Sequence, residues 1–93
     1  MQGWLIGIMV DAPDEDRPVR EFYAVGKADL SLAEWAVVDC VVAAGSVAAT
    51  PVHGQETVEA VSSISADMAR THGLKVNEVR PLGRKLPRRW FSR

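Results

Sequence analysis

The stretch that most constrains this chain is residues 30–45, LSLAEWAVVDCVVAAG, because both ends of a helix are written in it. Ser31 followed by Glu34 is the spacing of a capping box, in which the serine hydroxyl accepts one orphan backbone N–H and the glutamate reaches back to the N-cap amide. Leu30 and Trp35 stand where a hydrophobic staple would close around that cap. Gly45 follows as the permissive residue past the helix end.

At 100° per residue, Ala33, Ala36, Val37, Cys40, Val41, Ala43 and Ala44 gather in one sector of this helix, built mostly of small side chains. Trp35, Val38 and Val42 lie on the other side, bracketed by Glu34 and Asp39, with Leu32 just beyond Asp39. A surface helix carries one apolar stripe, so a helix apolar on two sides is expected to be covered twice. The sheet and loops of the same chain can supply both covers; alternatively a second subunit or the C-terminal tail supplies one.

The remaining segments place strands around that helix. Residues 3–10, GWLIGIMV, are apolar at odd and even positions alike, as in a central strand. Residues 11–18, with two prolines and four acids, form a loop, and residues 19–27 are β-branched and aromatic enough to be the hairpin partner. Residues 55–72 are ambiguous: Val58, Val61, Ile64 or Ser65, and Met68 would line one face of a long helix. The Thr, Val, Ser and Ile crowded into ETVEAVSSIS disfavour that, so a strand over residues 56–63 is predicted, then a short helix with Ser65 as N-cap, Asp67 in the first turn and Gly73 at C′. A last strand, residues 74–80, is expected to end at Pro81.

This order, β-β-α-β-α-β, predicts an α+β fold in which one long and one short helix pack on a small sheet. With so little helix, one sheet face is expected to be poorly covered, leaving Leu5 and Met9, or Trp4 and Ile8, exposed unless a second copy pairs there. Residues 1–83 constitute the single domain and residues 84–93 a basic, aromatic tail. Residues 21–83 hold an acidic turn before an Ala-rich helix, then Ile64-Ser65-Ala66-Asp67-Met68-Ala69, and a closing L-x-x-x-E-V-R-P-L at Leu74, Glu78, Val79, Arg80, Pro81 and Leu82. In these features they resemble a type of short, uncharacterised bacterial α+β domain. The resemblance implies no activity.

A composition 47% hydrophobic and 25% charged is that of a globular domain. The net charge of −1 conceals an asymmetry: Arg80, Arg84, Lys85, Arg88, Arg89 and Arg93 face no acid from residue 80 onward, whereas the preceding residues carry five bases against twelve acids. The apolar residues 4–10 lack a basic leader and run into Asp11, so they are not a signal segment, and Glu34, Asp39, Gly45 and Pro51 interrupt the only other long apolar run, so no membrane span is expected. Cys40, the single cysteine, is expected to be a small buried hydrophobe in a reducing compartment, and the protein to be soluble and cytoplasmic.

No constellation carries catalysis. His53 lies in a loop and His72 at the end of the short helix; neither stands beside an activated nucleophile, and a Cys40/His53 pair is an outside possibility. Asp11, Asp14 and Asp16 lack the glycine and distal glutamate of a calcium loop, the two histidines and one cysteine have no zinc-ligand spacing, and no phosphate-binding glycine loop follows a strand. No metal or cofactor is therefore expected.

The leading expectation is a non-enzymatic module that works by protein association, as a homodimer. The alternative is a nucleic-acid-associated protein whose tail grips phosphates with its bases and stacks on Trp90 and Phe91; an enzyme or ligand-binding domain centred on His53 comes third. The candidate docking surface is Trp35, Val38 and Val42. Trp90 and Phe91, of the same chain or a neighbour, are expected to dock there while Arg88 or Arg89 approaches Glu34 and Asp39.

Overall fold

The computed structural model describes residues 3–10, 19–44 and 58–91; the side chains of residues 43 and 44 lie outside that description. The elements are β1 (Gly3–Val10), β2 (Val19–Val25), α1 (Leu30–Ala44), β3 (Val58–Ile64), α2 (Ala66–Thr71), β4 (Val79–Gly83) and a single 3-10 turn, η1 (Arg88–Trp90). The fold is α+β: the four strands form one antiparallel sheet in the order β3-β1-β2-β4. The acidic loop, Gly45 and His53 lie outside the described residues.

β1 is central, as its apolar composition requires, and its alternation divides the core in two. Ile6, Ile8 and Val10 join Tyr23 and Val25 of β2 on one face, against Ala33, Val37 and Val41 of α1. Leu5 joins Ala24 and Ile64 on the other, against Ala69 of α2, Leu74 and Trp90. The face expected to be bare is thus clothed by α2 and the C-terminal segment, and Leu5, Ile8 and Met9 are all buried. A bulge between β1 and β3 sets Leu5 opposite Ser62 but Ile6 opposite Ala60, so Val61 is the extra residue. That extra residue lets Val58 and Ala60 pack toward α1 while Val61 and Ile64 pack toward α2.

Three local expectations need correction. The N-cap of α1 is Asp29 rather than Ser31: its Oδ1 accepts the Leu32 N–H at 3.0 Å and its carbonyl accepts the Ala33 N–H at 3.0 Å. A carboxylate at this position also opposes the positive end of the helix, which a serine two residues later cannot do. Trp4 steadies the approach by donating its indole N–H to Ala28 O at 2.9 Å. No staple forms, since Leu30 packs against the core and Trp35 faces solvent. Second, the last strand covers Val79–Gly83 and runs through Pro81, which is tolerated because β4 is an edge strand with a neighbour on one side only. Residues 74–78 instead form a turn against Gly26, whose N–H donates to Glu78 O at 2.8 Å and whose carbonyl accepts from Asn77 N at 2.8 Å. A Cβ at Gly26 would collide with the Lys75 carbonyl, so only glycine permits this approach. Third, Cys40 is exposed. Its sector is wider than the stripe a helix can lay on a sheet, and Ala33, Val37 and Val41 fill that stripe.

α2 begins where predicted: Ser65 Oγ accepts the Met68 N–H at 3.1 Å, and Gly73 follows the helix at φ 66°. No helix among the described residues is long and apolar enough to cross a membrane.

Candidate functional site

Two surfaces, on opposite sides of the sheet, stand out. The first is the outward face of α1. Leu32, Trp35, Asp39 and Val42 follow a 3-4-3 spacing, so they line up on one side of the helix, directly away from the Ala33/Val37/Val41 stripe. Leu32, Trp35 and Val42 are 57%, 65% and 60% exposed. Asp39 is exposed among them, Glu34 and Val38 are half-buried at the border, and α1 contains no base.

The second surface belongs to the C-terminal segment, and here the docking expectation is corrected. Trp90 does not lie on Trp35, Val38 and Val42; it is buried on the far side of the sheet with Leu5, Ala24 and Ile64, and Phe91 packs partly buried beside it. That face offered a ready cavity bounded by α2, whereas the α1 face is convex and would cover only one side of an indole. His72, at the C-cap of α2, stacks on Trp90 with ring centroids 4.0 Å apart and planes 18° from parallel, and donates from Nε2 to Arg89 O at 3.0 Å. His72, at the end of the short helix as expected, thus makes a ring contact that holds the segment down.

Arg80 ties the same region together. Its guanidinium donates to His72 O at 2.7 Å and Gly73 O at 3.0 Å, satisfying carbonyls at the end of α2, pairs with Glu78 at 2.8 Å, and lies 5.7 Å from the Trp90 ring centroid. The hydrogen bond from Arg80, helped by the Lys75 backbone N–H, holds the Glu78 carboxyl below its ordinary range. Arg84 is likewise engaged with the body, its Nε 3.5 Å from Glu21. Of the six bases from residue 80 onward, Arg80 and Arg84 are thus spent on acids of the same chain, while Lys85, Arg88 and Arg89 are exposed. These three, with Leu82, Leu86, Pro87 and Trp90, line an open groove of about 540 Å³.

Cys40 and His72 sit on opposite sides of the sheet. Burial, then the charge of Glu21 and the nearby Cys40, push the Tyr23 phenol up from its ordinary value. Among the described residues no group of three or more His, Cys, Asp and Glu side chains is placed to hold a metal ion. The sheet-crossing Arg20, laid over Gly7 to reach Glu59 at 3.2 Å, is a structural strut between β2 and β3. The exposed apolar spacing on α1 was legible in the sequence; the groove was not, because its walls come from β4 and from a segment whose path depends on where Trp90 is buried. Comparison with protein-family models, with curated proteins and with solved structures gave no match.

Proposed function

We propose that this protein is a small non-enzymatic association module that binds further copies of its own chain through the outward face of α1. The observation that carries this reading is the Leu32/Trp35/Val42 stripe: three large apolar side chains aligned on a helix whose opposite stripe is already buried. At ~25 cal/mol per Å², covering their exposed parts is worth about 10 kcal/mol per helix before the entropic cost of association is subtracted, which leaves a surplus able to drive association. A cytoplasmic setting suits Cys40, since an exposed lone thiol near such a contact would cross-link copies in an oxidising compartment. Light scattering across a concentration series tests the reading: the mass should rise above the 10.1 kDa of one chain at high micromolar concentration, and Trp35→Glu should return it to one chain. A monomer at every concentration overturns it.

The second reading, nucleic-acid binding through the C-terminal segment, draws support from the groove with Lys85, Arg88 and Arg89. It loses the stacking platform, because Trp90 is only 6% exposed and already in contact with His72. Three cations alone predict weak binding to a single strand, with a log–log salt slope of about −2. Oligonucleotide retention that is strong, salt-dependent and lost on Arg88→Glu/Arg89→Glu would favour it over self-association.

A further inference from the structure

The two surfaces are complementary to each other and not to themselves. The α1 face presents Leu32, Trp35 and Val42 with Asp39 in the line and Glu34 at its edge, with no base anywhere on the helix. The groove across the sheet has apolar walls in Leu82, Leu86 and Pro87, of which Leu86 is 46% exposed, and a rim of Lys85, Arg88 and Arg89, with no acid among the described residues that line it. Pairing two α1 faces around a two-fold axis would bring their acids together in a water-poor seam, and like charges so placed cost several kcal/mol. Pairing two grooves would oppose three cations with three more. Seating α1 of one copy in the groove of the next places acid against base and leaves the apolar residues facing apolar walls.

We infer that association is heterologous: the α1 face of one copy docks in the Lys85/Arg88/Arg89 groove of another. This rests on the self-association reading above and specifies its geometry. Because the two surfaces lie on opposite sides of one sheet, two copies cannot satisfy both surfaces reciprocally. A heterologous contact then propagates, closing only as a ring of at least three copies or remaining open. With this geometry the mass of the assembly passes that of the homodimer expected from sequence as concentration rises.

Complementation of two full-length variants tests this. Trp35→Glu removes the helix face and keeps the groove; Arg88→Glu/Arg89→Glu removes the groove and keeps the helix face. Both alter exposed positions, and circular dichroism checks that each folds; should Trp35→Glu misfold, Asp39→Lys takes its place. Each variant alone should associate at least about tenfold more weakly than the unmodified chain. Their equimolar mixture should form a 1:1 complex of twice the 10.1 kDa chain mass and nothing larger, weakening as salt rises. If the arginine variant alone associates like the unmodified chain, α1 pairs with α1; if the Trp35 variant does, groove pairs with groove; either result, or a mixture that fails to complement, overturns the heterologous geometry. An unmodified chain that stays monomeric removes the self-association reading itself, which separates the two failures.

Discussion

Replacing Trp90 by alanine tests whether the C-terminal segment belongs to the core. Trp90 is 6% exposed, packs with Leu5, Ala24, Ile64, Ala69 and Leu74, and stacks on His72 at 4.0 Å. Truncating a buried Trp to Ala costs about 3–5 kcal/mol, and loss of the ring stack falls within that figure. The lower end applies here because the site opens onto the groove and can relax. A domain of this size has a total stability of roughly 5–14 kcal/mol, so about 3 kcal/mol is about a fifth to three-fifths of it, and the melting temperature should fall by about 15 °C. Urea denaturation followed by far-ultraviolet circular dichroism measures the change. Trp35→Ala is the control: 65% exposed, it should shift stability by no more than about 0.5 kcal/mol in the monomer. An unchanged midpoint for Trp90→Ala, together with a large loss for Trp35→Ala, would refute the burial of Trp90 and return the aromatic segment to the α1 face.

Two further outcomes follow from local geometry. Asp29→Ala should destabilise the domain by about 1 kcal/mol through loss of the α1 N-cap, whereas Ser31→Ala should be nearly neutral; equal effects in a thermal melt would mean the helix starts elsewhere. Glu78 ionises more readily in the folded chain than at its ordinary value of 4.5, so it contributes stability that is present above that pH and lost as pH falls through the lower folded value. Glu78→Gln should therefore flatten the acid limb of a stability-versus-pH curve below about pH 4.5, and an unchanged limb would show that the pair with Arg80 is not maintained in solution.

Local chemistry settled a good part of this protein in advance. The uninterrupted apolar run of β1, the short-helix signals Ser65 and Gly73, the helical period of residues 30–44 and the order of elements each rest on interactions between residues a few positions apart, and such interactions are legible in one dimension. The difficulties arose where a choice depended on a distant partner. Val58, Val61 and Ile64 recur every three residues and so mimic a helix; the cause is a bulge that hands successive apolar residues to opposite faces of the sheet, and a bulge exists only relative to the neighbouring strand. Asp29 and Ser31 are both competent N-caps, and the path of the chain out of β2 past Gly26 and Trp4 selected the first. Two apolar surfaces could each have received Trp90. Only the packed structure decided between them, because burial of an indole depends on a concave site enclosed by several elements, here β1, β2, β3 and α2, and the convex outer face of a single helix cannot provide one; that face, left uncovered with its acids, is what remains for a partner.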